Sequence, residues 1–456
     1  MHLRRLCIRQ ERRGLGIGDV PLRPKGWAIG LIGRDMEVTD CDIMSSDQSV
    51  CYRGRHIVIE RNHITGMTGI TELEECTLAE NLIRNADMDD GGNLIQGKVY
   101  NFHIAKNRVQ DIYGWDREAI SFDTPYGHHW MGQVTMSSPT VMTVPSGSTD
   151  TWGRKFDTVP LKGMGAMIVS GRGLGQFIPI VASDATSFTL ERPWVVEPDA
   201  ASWVVIKTIK NHVVLCGNQF EDAGKAIQLY GNTYGFIVDG NSAKRAGGMY
   251  GRSRDYLRGG TRRCYTSCAF NQWINNTIAK GTSYARDGIT YGELGPAADF
   301  STLTNPATFS AMGNVVRNNS VSGDVRVGMG FDRWPSHRAS LIRGRDTVIE
   351  GNKISDLPGS GSNASGGAIE GIVISGLYKD TVVRENQVAP CPQPLRDDGF
   401  NTWIKPTERL SYQIESVKAV LGDSPELKSI RGECEALANK PLDEACLLYT
   451  SDAADE

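Results

Sequence analysis

The sequence predicts an all-β fold of stacked rungs, a solenoid, on three observations. One phrase, apolar-x-x-Asn-x-apolar, recurs along most of the chain; "VIERNHIT" at 58–65 and "VIEGNKIS" at 348–355 are two copies. Glycine is abundant, 51 of 456 residues, as a fold with many tight corners requires. The gaps between copies vary while the phrase itself holds, which is how solenoids keep a core and elaborate loops.

The repeated phrase justifies the rungs. Its Asn stands at Asn62, Asn81, Asn107, Asn218, Asn241, Asn276, Asn319, Asn352 and Asn386. Three places earlier and two places later every copy is apolar, as in Ile59 and Ile64 or Ile349 and Ile354. In a straight strand an odd separation of five puts the two flanks on opposite faces. Either the strand is buried on both sides or the chain bends. Asn tolerates left-handed backbone, so the bend is expected at the Asn itself. Each phrase is then one corner of a coil, and stacked coils would align the amides into a hydrogen-bonded ladder.

Taken in chain order, residues 1–123 are the first rungs. "MHLRRLCIRQERR" has no signal-peptide pattern, yet "VTDCDIMSSDQSV" already reads as a rung, so an N-terminal truncation is expected. Residues 124–208 interrupt the spacing and read as an inserted antiparallel β-module, with short β-rich runs punctuated by Gly, Asp and Pro. Its "GRGLGQ" lacks the Lys-Ser/Thr of a phosphate loop and reads as tight turns. Rungs resume over 209–390, with "GRSRDYLRGGTRRCYTSC" and "GELGPAADFSTLTNPATFSAMG" read as long loops. Residues 391–445 form a polar, partly helical tail suited to capping an open sheet end. Residues 446–456, "CLLYTSDAADE", resemble a translated sequencing adapter and are excluded from the fold.

The totals narrow the function. Lys plus Arg is 49 against 53 for Asp plus Glu, a net charge of −4, and the only basic run is short, so nucleic acid is not an expected partner. No apolar run reaches membrane-spanning length. Ten Cys are scattered without metal-ligand spacing; Cys41 and Cys51 are close enough in sequence to pair in an oxidising compartment.

The repeated Asn phrase, the glycine content and the looped spacing over residues 30–390 resemble the right-handed parallel β-helix superfamily. That group holds pectate-lyase-like polysaccharide lyases, glycoside hydrolases and phage tailspike-like proteins. The "GRGLGQ" to "TLERPWVVEPDA" module is similar to β-modules inserted in such proteins. The resemblance implies a polysaccharide or oligosaccharide partner, an extracellular or periplasmic location, and no required cofactor, with room for calcium. It identifies a fold, not a reaction. "DMDDGGN" at 87–93 is the nearest approach to a calcium loop and reads better as a polar turn.

Candidate site residues come from aligning the strands downstream of each Asn. Asp123, Tyr230, Tyr250, Tyr291 with Glu293, and Asp332 with Arg333 are expected to stack where those strands end, lining a groove about 20 Å long at about 4.8 Å per rung. Carboxylates bond hydroxyls, and aromatic rings stack on apolar sugar faces. "YGWDREAISFDTPYGHHW" adds Trp115, Glu118, His128 and Trp130, and "MGFDRWPSH" adds Trp334. Asp123 and Asp332 form the expected pair of carboxylates for hydrolysis, with Glu293 and Glu118 as further acids. Asp123 is as well explained as a turn cap before Thr124-Pro125, and Glu118 as the partner of Arg117 or of a neighbouring rung. One of His128 and His129 at most would join a site, since adjacent strand residues point apart. Arg333, His128 and Tyr291 would instead serve β-elimination on a uronate. Hydrolysis is slightly favoured; elimination, and a non-catalytic glycan-binding protein, stay open. No metal ligand set is assigned.

Overall fold

The computed structural model describes residues 1–10, 27–86, 92–112, 117–123, 129–258, 262–281, 292–298, 308–323, 325–329, 344–356, 370–409 and 411–412. The strands stack in parallel, each rung pairing with the ones above and below. Residues three before the Asn lie Cα over Cα in one column, from Val38 and Ile59 through Leu78, Ile104, Leu215 and Val238 to Ile349 and Val383. Residues two after it form a second column, from Ile43 and Ile64 to Val321 and Ile354. Both columns are buried. Flanks five apart therefore point the same way, which only a bend allows. The chain is a parallel β-helix.

The bend does not lie at the Asn. The left-handed residue is the one before it: Arg61, Glu80, Lys106, Gly217, Gly240, Asn275, Asn318, Gly351 and Glu385, all with φ between 52° and 64°. A second left-handed residue stands five positions earlier in every one of these rungs, as at His56, Asn101, Phe270 and Asp380. Four extended residues between two such corners make the rung's first face. The strand after the Asn makes a second face, and a third face follows it. Turning at the preceding residue leaves the Asn extended, with its side chain inward and its N–H in line with the stack.

That placement satisfies the amide fully. In Asn107, Nδ2 donates to Asn218 Oδ1 at 2.9 Å and to Leu78 O at 2.8 Å. Its Oδ1 accepts from Asn81 Nδ2 at 2.9 Å and Asn81 N at 3.0 Å. The same bonds run unbroken from Asn62 to Asn386. Four bonds per amide exhaust its capacity, so burial costs no orphaned group. At one end Cys41 takes the Asn position and donates its N–H to Asn62 Oδ1 at 2.9 Å. At the other, the Glu408 carboxylate accepts the N–H groups of Glu385 and Asn386, standing in for a further Asn.

The insertion leaves the coil undisturbed. Lys210–Cys216 pairs directly with Asn93–Ala105, so the helix resumes on the rung it left. Between them lies a seven-stranded sheet from Trp130–Gln133 to Trp203–Lys207, antiparallel throughout its pairs. It has its own core around Phe156, Phe188 and Trp194. A smaller cluster, in which Met167, Val169 and Val205 meet Tyr265, Ala269 and Met312, fixes it to the corner of the following rungs. "GRSRDYLRGGTRRC", expected as a loop, is instead a hairpin: Met249–Arg258 runs antiparallel to Arg262–Thr266. Cys41 and Cys51 are both free thiols.

His129, where the module begins, packs its ring 5.1 Å from Trp152. Burial pushes its pKa down to about 4. The folded module thus prefers the neutral ring, while the unfolded chain takes up a proton near pH 6.5. Stability from this group is complete above pH 6.5 and is lost as pH falls toward 4, by about 2–3 kcal/mol. Melting curves from pH 7 to 4 should show the midpoint falling, and His129→Phe should flatten that fall. An unchanged slope in the variant would assign the acid sensitivity elsewhere.

Candidate functional site

The third face carries Glu118, Asp123, Tyr230 and Tyr250 among the predicted residues. Glu118–Phe122, Lys225–Tyr230 and Met249–Arg258 stack on successive rungs. Ile120, Ile227 and Met249 share an inward column, as do Phe122, Leu229 and Gly251. Gly251 is demanded by its neighbours: a Cβ there would stand 2.4 Å from Cys268 Sγ. Between these columns Ser121, Gln228 and Tyr250 point away from the coil's core, Ser121 and Gln228 being nonetheless buried, and the next position of that kind holds Asp123, Tyr230 and Arg252. Asp123 follows Phe122 directly and is anchored by its N–H to Ile95 O at 2.9 Å.

This column differs from the expected one. Arg252 occupies the end position on its rung, and Tyr250 lies two residues earlier, bonding Gln228 Oε1 through its hydroxyl at 2.5 Å. On the next rung the same position is Ala297. Glu293 is four residues before it, at the other end of Gly292–Ala298, so its backbone is outside the column; its side chain is outside the described residues. Trp130 is also displaced from the groove, because it is buried in the inserted module's core. Glu118 is buried and ion-paired to Lys225 at 2.8 Å, on the rung immediately beneath. That pairing offsets the cost of enclosing the charge, which is high for a carboxylate without a partner. Trp115, His128, Tyr291, Asp332, Arg333 and Trp334 lie outside the described residues.

Two arginines outside the expected set stand beside the Tyr230 ring. The Arg254 guanidinium sits 4.4 Å from the centroid of Tyr230, and that of Arg252 sits 5.4 Å from it. A strand's period of two carries both to the same face, and "GRSRD" displays that spacing. On the preceding rung, Lys210 is fully buried and donates through Nζ to Asp123 O at 2.8 Å. Burial draws its pKa down to about 7, against the pull of the Asp123 charge. The surface thus combines one carboxylate, two tyrosines and two arginines held by a ring. Arginine forks take carboxylates and sulfates bidentately, and a ring beneath fixes the guanidinium plane.

Among the described residues no three His, Cys, Asp or Glu side chains converge in a group that could hold a metal ion. Residues 87–91, which hold the acids of "DMDDGGN", lie outside the described set. No helix among the described residues is long and apolar enough to cross a membrane.

No family model matches the sequence, and no curated protein matches it. Among solved structures, the chain is similar to the A-module of the mannuronan C-5 epimerase of Azotobacter vinelandii, at 10% identity and a TM-score of 0.33, over 84% of this chain and 75% of that one. It is similar to a tailspike of Pseudomonas phage phi297, at 10% identity and a TM-score of 0.24, over 75% and 66% of the two chains. A glycoside hydrolase matches at 9% identity and a TM-score of 0.23, over 75% of this chain and 89% of that one. The fold itself rests on this chain's own register: parallel rungs, nine stacked amides and an insertion that leaves the coil in step make it a parallel β-helix protein.

Proposed function

We propose that the protein acts on an acidic polysaccharide along its third face, outside the cell. The observation that supports this best is the in-register column of Asp123, Tyr230 and Arg252, with Arg254 over the same Tyr ring. Arg252 and Arg254 bind the polymer's carboxylates or sulfates, Tyr230 and Tyr250 contact sugar faces, and Asp123 transfers the proton. Hydrolysis needs a second carboxylate on the far side of the scissile bond, for which Asp332 and Glu293 are the candidates. Elimination is the second reading, favoured by the arginines: a cation beside a uronate carboxylate steadies the carbanion formed when the neighbouring proton leaves.

The purified protein should be offered pectin, alginate and chondroitin. New ultraviolet absorbance from unsaturated uronates marks elimination, and reducing ends without it mark hydrolysis. Retained binding with neither signal would replace the catalytic reading with a glycan-binding one. Arg252→Ala and Arg254→Ala should each weaken acidic-polymer binding about tenfold to a hundredfold, the worth of one charge-assisted contact. Equal losses on a neutral polymer would refute the charge assignment.

A further inference from the structure

A cleft lies where the inserted module meets the coil, with none of the third-face column residues in its lining. Its volume is about 650 Å³, and its walls include Gly173, Leu174, Val195 and Val196 of the module and Arg345 and Asp346 of a rung corner. The register from Lys210 through Thr233, Cys268 and Ala311 to Gly344 places this corner four rungs beyond the insertion point, about 19 Å along the axis. The module therefore spans several rungs, and the cleft sits under its far end.

The module's wall is rigid. Gln176 donates from Nε2 to Val196 O at 2.7 Å and accepts through Oε1 from the N–H groups of Val195 and Val196 at 2.8 and 3.0 Å. Gly173 closes the turn at φ 80°, where a Cβ would come within 2.6 Å of Val196 O. These bonds hold two valine side chains in solvent: Val195 is 83% exposed and Val196 41%. Exposed aliphatic side chains on a pinned turn, facing a cleft, are an apolar surface with a fixed shape.

The opposite wall is polar and electrically balanced. Arg345 donates from Nε to Asp346 Oδ2 at 2.6 Å and reaches Asp380 Oδ2 at 3.4 Å, and Lys379 stands 3.7 Å from the same oxygen. Phe309 lies under both cations, each 5.3 Å from its centroid. Arg345 and Asp346 line the cleft, and Asp380 and Lys379 stand next to them; two cations and two carboxylates cancel, so this side offers donors and acceptors without net charge. The arginine-rich third face is the contrary case.

We propose that this cleft is a second carbohydrate site, one that binds an uncharged saccharide. Its C–H face would lie on Val195 and Val196, and adjacent hydroxyls would bridge the Arg345 guanidinium and the Asp346 carboxylate. A charged sugar would unbalance the ion pairs, which is why the neutral class fits.

The test uses the whole protein, calorimetry, and hexamers of β-1,4-glucose, β-1,4-mannose and α-1,4-galacturonate. A neutral hexamer should bind, and Asp346→Gly and Val195→Asp should each weaken it at least about tenfold. Glycine suits the left-handed corner at Asp346, where φ is 53°, so that variant keeps its fold. Arg254→Ala should leave neutral-hexamer binding intact, which separates this site from the third-face groove. Failure of both neutral hexamers to bind at millimolar concentration overturns the proposal. So does binding that survives both cleft variants, or that Arg254→Ala abolishes.

Discussion

Replacing Asn218 with Ala should destabilise the protein by about 3–5 kcal/mol, far more than an average point substitution. Asn218 joins the rungs on either side of the insertion, 111 residues apart in sequence. Its Oδ1 receives both Asn107 N and Asn107 Nδ2, and its Nδ2 serves Ile104 O at 2.9 Å. Truncation removes these bonds and the one from Nδ2 to Asn241 Oδ1 at 2.9 Å, so Asn107 N and one N–H of its amide lose their acceptor and Ile104 O and Asn241 Oδ1 each lose a donor, at about 1–3 kcal/mol for a group left dry. Asn218 is fully buried, so water cannot restore the lost partners without opening the coil. Asn386 supplies the control: it lies at the ladder's end, is 7% exposed and borders the Glu408 cap. Asn386→Ala should cost less than half as much. Denaturant midpoints of the two variants measure the difference. A loss near 1 kcal/mol for Asn218→Ala would mean that the ladder only accompanies the stacking of the apolar columns.

The ladder was legible because its chemistry admits few substitutes. Only an amide donates and accepts twice at the required spacing, so nine rungs kept Asn. The corners were not legible, since their requirement is a backbone angle. Arg61, Glu80, Lys106 and Phe270 all adopt φ near 55°, a conformation that disfavours each of them. The stacked rungs over-determine the turn, and the residue type carries no signal except where it is Gly. A second, shorter series went unread for a different reason. Asn271 accepts from Phe236 N at 2.9 Å and Asn314 from Asn271 N at 3.1 Å, an inner row five residues before the main ladder. The signal is present as Asn-x-x-x-x-Asn in "NQWINN" and "NVVRNN", but only two rungs carry it.

The site was less legible than the fold. Strand ends could be placed only by aligning rungs of unequal length, and a slip of two residues is invisible in sequence because it preserves the outward face. That is how Tyr250 took the place of Arg252. Glu118 shows the other difficulty. A carboxylate beside Arg117 reads as reactive, as paired to that Arg, or as paired to a neighbouring rung; the third holds, but its partner, Lys225, lies 107 residues away, and the sequence does not single it out. Trp130 was assigned to the groove although it falls inside the 124–208 insertion, and the residue belongs to that module's core rather than to the coil.

Asp123→Asn should lower turnover by about a hundredfold to ten-thousandfold, the usual worth of a proton-transfer group. The substitution keeps the shape of the side chain. It also keeps the backbone bonds that fix this position, from Asp123 N to Ile95 O and from Lys210 Nζ to Asp123 O. Tyr230, Arg252 and Arg254 stay in place, so binding of an acidic polymer should change little while kcat falls. That separation makes the variant informative: loss of kcat with KM retained assigns chemistry to the carboxylate, and loss of both assigns it a structural part in the groove. Arg252→Ala should do the reverse, raising KM first. If Asp123→Asn turns over as fast as the parent protein, the proton must move through another group. The third-face column would then be a binding surface, with the reacting bond held nearer Glu293 or Asp332.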